Sequence, residues 1–523
     1  MSVPLIVLLV SPVAGALLAP AFGDVAVQRR AVATLCGAAA LGGAVWAVVR
    51  TVSGSEVAWR GFTLDPWRAL LVFGAVSASA AAIARVERTS RPSVSQAAIF
   101  AATAAGIAPL VVPSSHLLAV TLPVSTLGVA VASFAAITDP SRALRSIRAV
   151  AALAASDALA LVALGLALEN GTALPPRPST TGAALLLAAA LVRIGVTPGA
   201  GPAADAGGAH RSIGLLWLGP VRAQGFLLAV FAVGAHRSVA YAAAASASLA
   251  IVVAGATASR RSDGGSLPAL ATGVALLGFS LGGAIPTWGA ILALAAAFAG
   301  PVAFSAGGAW SAGARATLAA LPAGGLIAGS ALVLGAAFGA GAIEPWFLAF
   351  AVPATAGLLA ACGSVWVARG KAPGSGLPAA FAASIGIATG LALAALPARA
   401  QEWLAIPVAR NLGVGRLLSV GGEPGMAEGL ALIVLAVAAI AFLAGPGRLG
   451  SGGAPGRVPI VRFPVALEWW AWSARAPEPG SGHAASRAAN GTRRWMVAAT
   501  VVFAVALGLA ARVYIVAAGR GFL

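Results

Sequence analysis

The sequence predicts an all-α polytopic membrane protein of about sixteen transmembrane helices, and three observations predict it. Hydrophobic residues make up 59% of the 523-residue chain and charged residues only 9%, a balance outside that of soluble globular domains. Mean hydropathy is +0.94. The apolar residues fall in continuous runs of about 20, long enough to cross a ~30 Å hydrocarbon core as helix. They lack the period-two alternation that barrel strands need.

In order, the candidate spans are 3–22, 31–49, 67–84, 95–112, 116–137, 147–168, 180–198, 213–235, 238–257, 267–285, 287–305, 314–338, 346–368, 377–397, 427–444 and 495–517. The first run, Val3–Phe22, has no basic stretch ahead of it and reads as a spanning helix rather than a cleaved leader. Several connections are so short that successive helices must be antiparallel neighbours.

A formal charge of +18 would suggest nucleic acid in a soluble protein, but the arginines lie mostly between apolar runs. Basic links follow the first span (Arg29, Arg30), the third (Arg85, Arg88, Arg91), the fifth (Arg142, Arg145, Arg148), the ninth (Arg260, Arg261) and the thirteenth (Arg369, Lys371). The alternate links carry few or none. With an even number of spans, this pattern places the basic loops in the cytoplasm and both termini on the non-cytoplasmic side of the cell inner membrane.

Signatures of soluble enzymes are missing: the sequence has no phosphate-binding Gly-rich loop, no dinucleotide fingerprint and no nucleophile elbow. Cys36 and Cys362 stand far apart in apolar runs, and His116, His210, His236 and His483 have no metal-like neighbours. We therefore expect no catalytic site, no metal and no cofactor in this chain.

The chemistry that remains is a small set of ionisable groups at or inside helix ends. In Ser179–Ala235, an apolar run carries Arg193 and then breaks at Gly195–Pro202; a polar link with Asp205, His210 and Arg211 precedes a second apolar helix. A broken helix beside an intramembrane cation fits a transport site, while a plain loop with Arg193 snorkelling to the interface fits equally. Asp157 lies inside the sixth span, with Arg145 and Arg148 ahead of it, and Arg222 follows Pro220 inside the eighth. A charge at the bilayer centre costs about 2.5–3.5 kcal/mol on insertion scales, so such groups pair or face water. Asp157 with an arginine from a neighbouring helix is the natural neutral pair. The candidates for an ion pathway or an intramembrane ion pair are thus Asp157, Arg193, Arg222, Arg148 and His210.

The order of these pieces resembles a known family. Gly61–Arg85 (GFTLDPWRALLVFGAVSASAAAIAR) is similar to the third-helix region of the antiporter-like subunits shared by NADH:quinone oxidoreductase and the multisubunit cation/proton antiporters. Asp139–Leu168 resembles their charged loop and following helix, with Asp157 on the family's "GD" aspartate. Leu185–Phe231 resembles their broken seventh helix and its successor, with Arg193 at the intramembrane lysine, and Ser262–Ala306 resembles helices of the second half. LGPVRAQGFLL and DPSRALRSIRAV also resemble the membrane subunit of a two-component inorganic-carbon (bicarbonate/CO2) transporter.

The resemblance implies two inverted five-helix repeats and a broken seventh helix. The resemblance covers roughly residues 60–340, and composition and apolar runs divide the whole chain into N-terminal helices (1–112), an antiporter-like core (113–368), C-terminal core helices (369–444), a cytoplasmic Gly/Pro/Arg-rich linker (445–494) and a final tethered transmembrane helix (495–523). Trp469, Trp470 and Trp472 in the linker suit a short interfacial helix or a docking surface for a partner. The family passes protons through a fifth-helix Glu, a seventh-helix Lys and a His or Lys in mid-chain. This sequence has Leu122-Pro123 at the first place, Arg193 at the second and Ala299 near the third. A guanidinium, with a pKa above about 12, cannot release a proton at physiological pH.

The function expected is a membrane subunit of a proton- or cation-coupled multisubunit complex with a degenerate proton path, its partners being other membrane or cytoplasmic subunits and the lipid bilayer. Two alternatives stand beside it: the membrane half of an inorganic-carbon transporter, and a self-contained secondary anion transporter that binds through Arg193 and Arg222.

Overall fold

The computed structural model describes residues 3–305, apart from several short connecting segments, and parts of 326–358; structural statements concern those residues. The spans expected at 377–397, 427–444 and 495–517, the linker 445–494 with its tryptophans, and Asp205 lie outside them.

Each of the first eleven expected spans is a helix. The helices are α1 (Val3–Ala21), α2 (Ala26–Val52), α3 (Pro66–Ile83), α4 (Pro92–Val111), α5 (Ser115–Ala136), α6 (Pro140–Ala167) and α7 (Thr180–Ile194). They continue as α8 (Arg211–Leu216), a π turn (Trp217–Val221), α9 (Arg222–Ala235), α10 (Arg237–Ala258), α11 (Leu267–Leu281) and α12 (Ala284–Ser305). Eight helical stretches are long and apolar enough to cross a membrane, counting α8, the π turn and α9 as one stretch, so this is a multi-pass membrane protein. Shorter apolar helices run over Thr180–Ile194, Ala269–Leu281 and Ile285–Ala299.

Local chemistry sets the element ends. Asp65 caps α3: its carboxylate accepts the Arg68 N–H at 2.7 Å, and Pro66 occupies the first helical position, where no N–H is needed. Serine does the same for α7, the Ser179 hydroxyl accepting from the Gly182 N–H at 3.2 Å. The seventh helix stops at Ile194 rather than continuing to 198, because Gly195 takes a left-handed conformation (φ 77°) and donates back to the Leu191 carbonyl. A side chain there would be strained, so glycine makes a clean stop. Three features depart from the expected pattern. A small antiparallel hairpin, β1 (Val57–Trp59) with β2 (Phe62–Leu64), joins α2 to α3 in the register Val57↔Leu64. The link expected to hold Arg142, Arg145 and Arg148 is instead the start of α6. The π turn was not expected; Pro220 sits in it, and the Arg222 N–H reaches the Trp217 carbonyl, the i→i−5 bond that defines such a turn.

Burial is graded across the bundle. The stretch Ser212–Ala235 is 94% buried, against 33% for α1 and α2. Leu17, Val27 and Leu35 on the outer pair are largely exposed, as a lipid-facing surface would be. Around the central α9 pack α7, α3, α10, α11 and α4, while α6 covers α7 and α12 lies against α3. Small residues set the closest approaches. A Cβ on Gly225 would lie 2.7 Å from Ile194 Cγ1 and 2.9 Å from Arg193 Cβ, so α7 and α9 meet backbone to side chain at the level of Arg193. A polar group on α9 therefore has no lipid interface to reach and must be satisfied inside the bundle.

Candidate functional site

Four helices deliver a polar cluster to the middle of this apolar packing. Arg193, in the last turn of α7, is fully buried, and Asp157 on α6 is 1% exposed. The Arg193 NH2 group pairs with Asp157 Oδ1 and also donates to Thr126 Oγ1 at 3.3 Å. Its Nε donates to Ser156 Oγ at 3.0 Å and its NH1 to Gln224 Oε1. Every face of the guanidinium thus ends on an oxygen of the protein.

The second tier is equally closed. The Ser156 hydroxyl donates a hydrogen bond to the Ala189 carbonyl at 2.9 Å, tying α6 to α7 a second time. Gln224 Nε2 donates to the Gly106 carbonyl at 2.8 Å and to Ser125 Oγ at 2.7 Å, tying α9 to α4 and α5. Thr126 also hydrogen-bonds the Asp157 carboxylate. The cluster is a net-neutral, fully hydrogen-bonded knot joining α4, α5, α6, α7 and α9. Breaking a buried pair by removing one partner strands the other charge, so each member depends on the rest.

The remaining candidates lie elsewhere. Arg148 stands nine residues before Asp157 on α6, roughly 13 Å along the helix axis, and is half-buried outside the knot. His210 is the N-cap of α8: its Nδ1 accepts the Ser212 N–H at 3.2 Å, which requires a neutral ring. Burial first, and the Arg142 charge second, hold the His210 ring below the ordinary imidazole value. Arg222 is 3% exposed and donates from NH1 to the Ala297 carbonyl of α12 at 3.1 Å. That carbonyl is free because Pro301, four residues on, has no N–H to give it.

Sequence reasoning missed Gln224, Ser125, Thr126 and Ser156. The available signal was the lone amide of Gln224 in an otherwise apolar helix, since an amide at membrane depth has to be hydrogen-bonded. Leu122 and Pro123, where the resemblance expects Trp-Glu, are buried and apolar, and Thr126 one turn later meets Arg193 instead. Ala299 is exposed on α12. Among the described residues no group of His, Cys, Asp and Glu is placed to hold a metal ion.

No family model and no curated protein matches the sequence. In structure the chain is similar to a chain of the Mrp complex from Dietzia sp. DQ12-45-1b, at 15% identity and a TM-score of 0.55, over 81% of this chain and 99% of that one. Two further similarities have lower TM-scores. Respiratory complex I from Thermus thermophilus with bound Aureothin gives 0.41 at 18% identity, over 86% of this chain and 100% of that one. The archaeal membrane-bound sulfane sulfur reductase, a respiratory membrane complex, gives 0.44 at 14%, over 98% and 99%. The fold is similar to that of the chain from the Mrp complex. At these identities the likeness is one of fold, and function has to be argued from the knot itself.

Proposed function

We propose that this chain is a membrane subunit of a multisubunit cation- or proton-coupled complex, in which it braces the assembly and its own proton path is closed. The observation that carries the reading is Arg193. A relay group has to release and regain a proton, and a guanidinium does not do so at physiological pH. Here its Nε, NH1 and NH2 groups are moreover spent on Ser156, Gln224, Thr126 and Asp157, with no exposed surface left for water. Asp157 is the acidic member of the knot, and it is paired with the permanent cation of Arg193. The chemistry of the site is that of a brace.

The finer architecture belongs to the same proposal: about sixteen spans, two inverted five-helix repeats, both termini on the outer side of the inner membrane, and other subunits as partners. Arginine-rich loops and the order of family-like segments support it. The anion-carrier reading loses one of its two arginines, because Arg193 is already neutralised by Asp157.

Two measurements test the proposal. Purification in mild detergent from native membranes should bring down further membrane subunits. A single large soluble partner would favour the inorganic-carbon reading instead, and a chain recovered alone would overturn both. In liposomes holding the assembled complex, the double variant Asp157→Leu with Arg193→Met should assemble and leave proton flux unchanged; flux abolished in an intact assembly would show that the pair conducts.

A further inference from the structure

Arg222 differs from the other buried arginines whose partners are clear. Arg68 is paired with Asp65 at 3.2 Å and donates to the Val112 carbonyl at 2.8 Å, and Arg193 is paired with Asp157. Beside Arg222, among the described residues, stands no carboxylate; its NH1 group has the Ala297 carbonyl, and its Nε–H is buried without an acceptor. It lies ten residues inside the stretch Ser212–Ala235, roughly 15–20 Å along the helix from either end. At that depth a lipid headgroup cannot reach it, and a guanidinium cannot escape burial by losing its proton.

The geometry of what is left open specifies the missing partner. In arginine, the Nε–H and the NH2 group point the same way and form one edge of the guanidinium fork, while NH1 lies on the other side. Ala297 occupies NH1, and among the described residues the Nε–H on the other edge meets no acceptor. Two parallel N–H bonds at that edge match two coplanar oxygens of a single acceptor, the arrangement of bidentate Arg–carboxylate pairs. A spherical ion fills one bond well and the other poorly.

We propose that Arg222 is a binding site for a small planar oxyanion of the carboxylate class, taken from water and held side-on at the Nε/NH2 edge. The anion neutralises the one described buried cation that the fold leaves open. The proposal is independent of the closed path at Arg193, whose residues it does not involve.

The test uses the full chain in lipid nanodiscs, with any subunits that copurify, and 13C-formate as probe at constant sodium and ionic strength, gluconate replacing formate. Wild type should bind formate saturably at one site, with nitrate competing better than chloride. Arg222→Gln should bind it roughly ten- to a hundred-fold more weakly, the loss expected for two charge-assisted hydrogen bonds. Arg222→Lys, which keeps the charge and loses the fork, should hold formate and chloride about equally; this variant decides the matter should Arg222→Gln fail to fold. Absence of saturable formate binding in wild type, or undiminished binding in either variant, overturns the proposal.

Discussion

Arg193 and Arg222 lie on neighbouring helices, equally remote from lipid, and they are treated in opposite ways. Around Arg193 the chain supplies a carboxylate, an amide and two hydroxyls from three other helices. Around Arg222 the described residues supply one backbone carbonyl, and that only because Pro301 vacates it. The contrast teaches that a buried arginine carries no function by its identity. Surrounded by acceptors, it becomes the structural centre of five helices; left with an open edge, it is a charge in search of a counter-ion.

The contrast is sharpest where it can be broken. Asp157→Asn leaves Arg193 buried without its counter-charge and should cost about 3–5 kcal/mol, read as a fall in unfolding temperature in detergent. Adding Arg193→Met in the Asp157→Leu background should restore most of it, because a well-packed apolar pair replaces a buried ion pair at little cost. Stability that stays low in that double variant would mean the pair does more than neutralise itself.

Next in size, Gly225→Ala drives a Cβ into Ile194 and the Arg193 stem, and overpacking of this kind costs about 1–3 kcal/mol. Gln224→Leu should cost a similar or smaller amount, about 1–3 kcal/mol, by orphaning the Arg193 NH1 group together with the Gly106 carbonyl and Ser125 hydroxyl. By contrast, Arg222→Met in gluconate removes an uncompensated charge and should move stability by no more than about 1 kcal/mol in either direction. A loss there as large as that of Asp157→Asn would show that the two arginines are equivalent after all.

The smallest effect is one of pH. The neutral His210 ring caps α8, and its pKa lies below the ordinary 6.5. A group whose protonated form is disfavoured in the folded state contributes stability that is complete above the unfolded value and drains away as pH falls below it. The protection of amides at the start of α8, taken relative to their intrinsic exchange rates, should therefore fall as pH drops below 6.5, toward the depressed folded value. His210→Asn, which can cap without titrating, should abolish that dependence.

Much of this was legible from residues alone, for definite reasons. Helix positions follow from apolar runs of membrane length, which is why each of the first eleven expected spans coincides with a helix, with ends differing by up to seven residues. The stop after Arg193 follows from Gly195, since only glycine takes that φ freely. A single acidic residue, Asp157, inside an apolar helix had to meet a cation. Which cation was not legible: Arg193 and Arg222, on other helices, both stood within reach of a one-dimensional argument. Burial of the whole stretch Ser212–Ala235 and the close α7–α9 contact at Gly225 bring Arg193 to the aspartate and leave Arg222 facing α12.

By itself, then, the sequence determined that the chain is a multi-pass helical membrane protein, roughly where its described helices lie, and that its few intramembrane charges had to be reconciled inside the bundle. Those properties depend on hydropathy, capping and backbone freedom, which act over a few residues. Only the tertiary structure decided that Arg193 is locked in a neutral knot with Asp157, Gln224, Thr126 and Ser156 while Arg222 keeps an open edge. That decision rests on which helix faces meet, and faces are set by packing between residues as much as 130 positions apart in the chain.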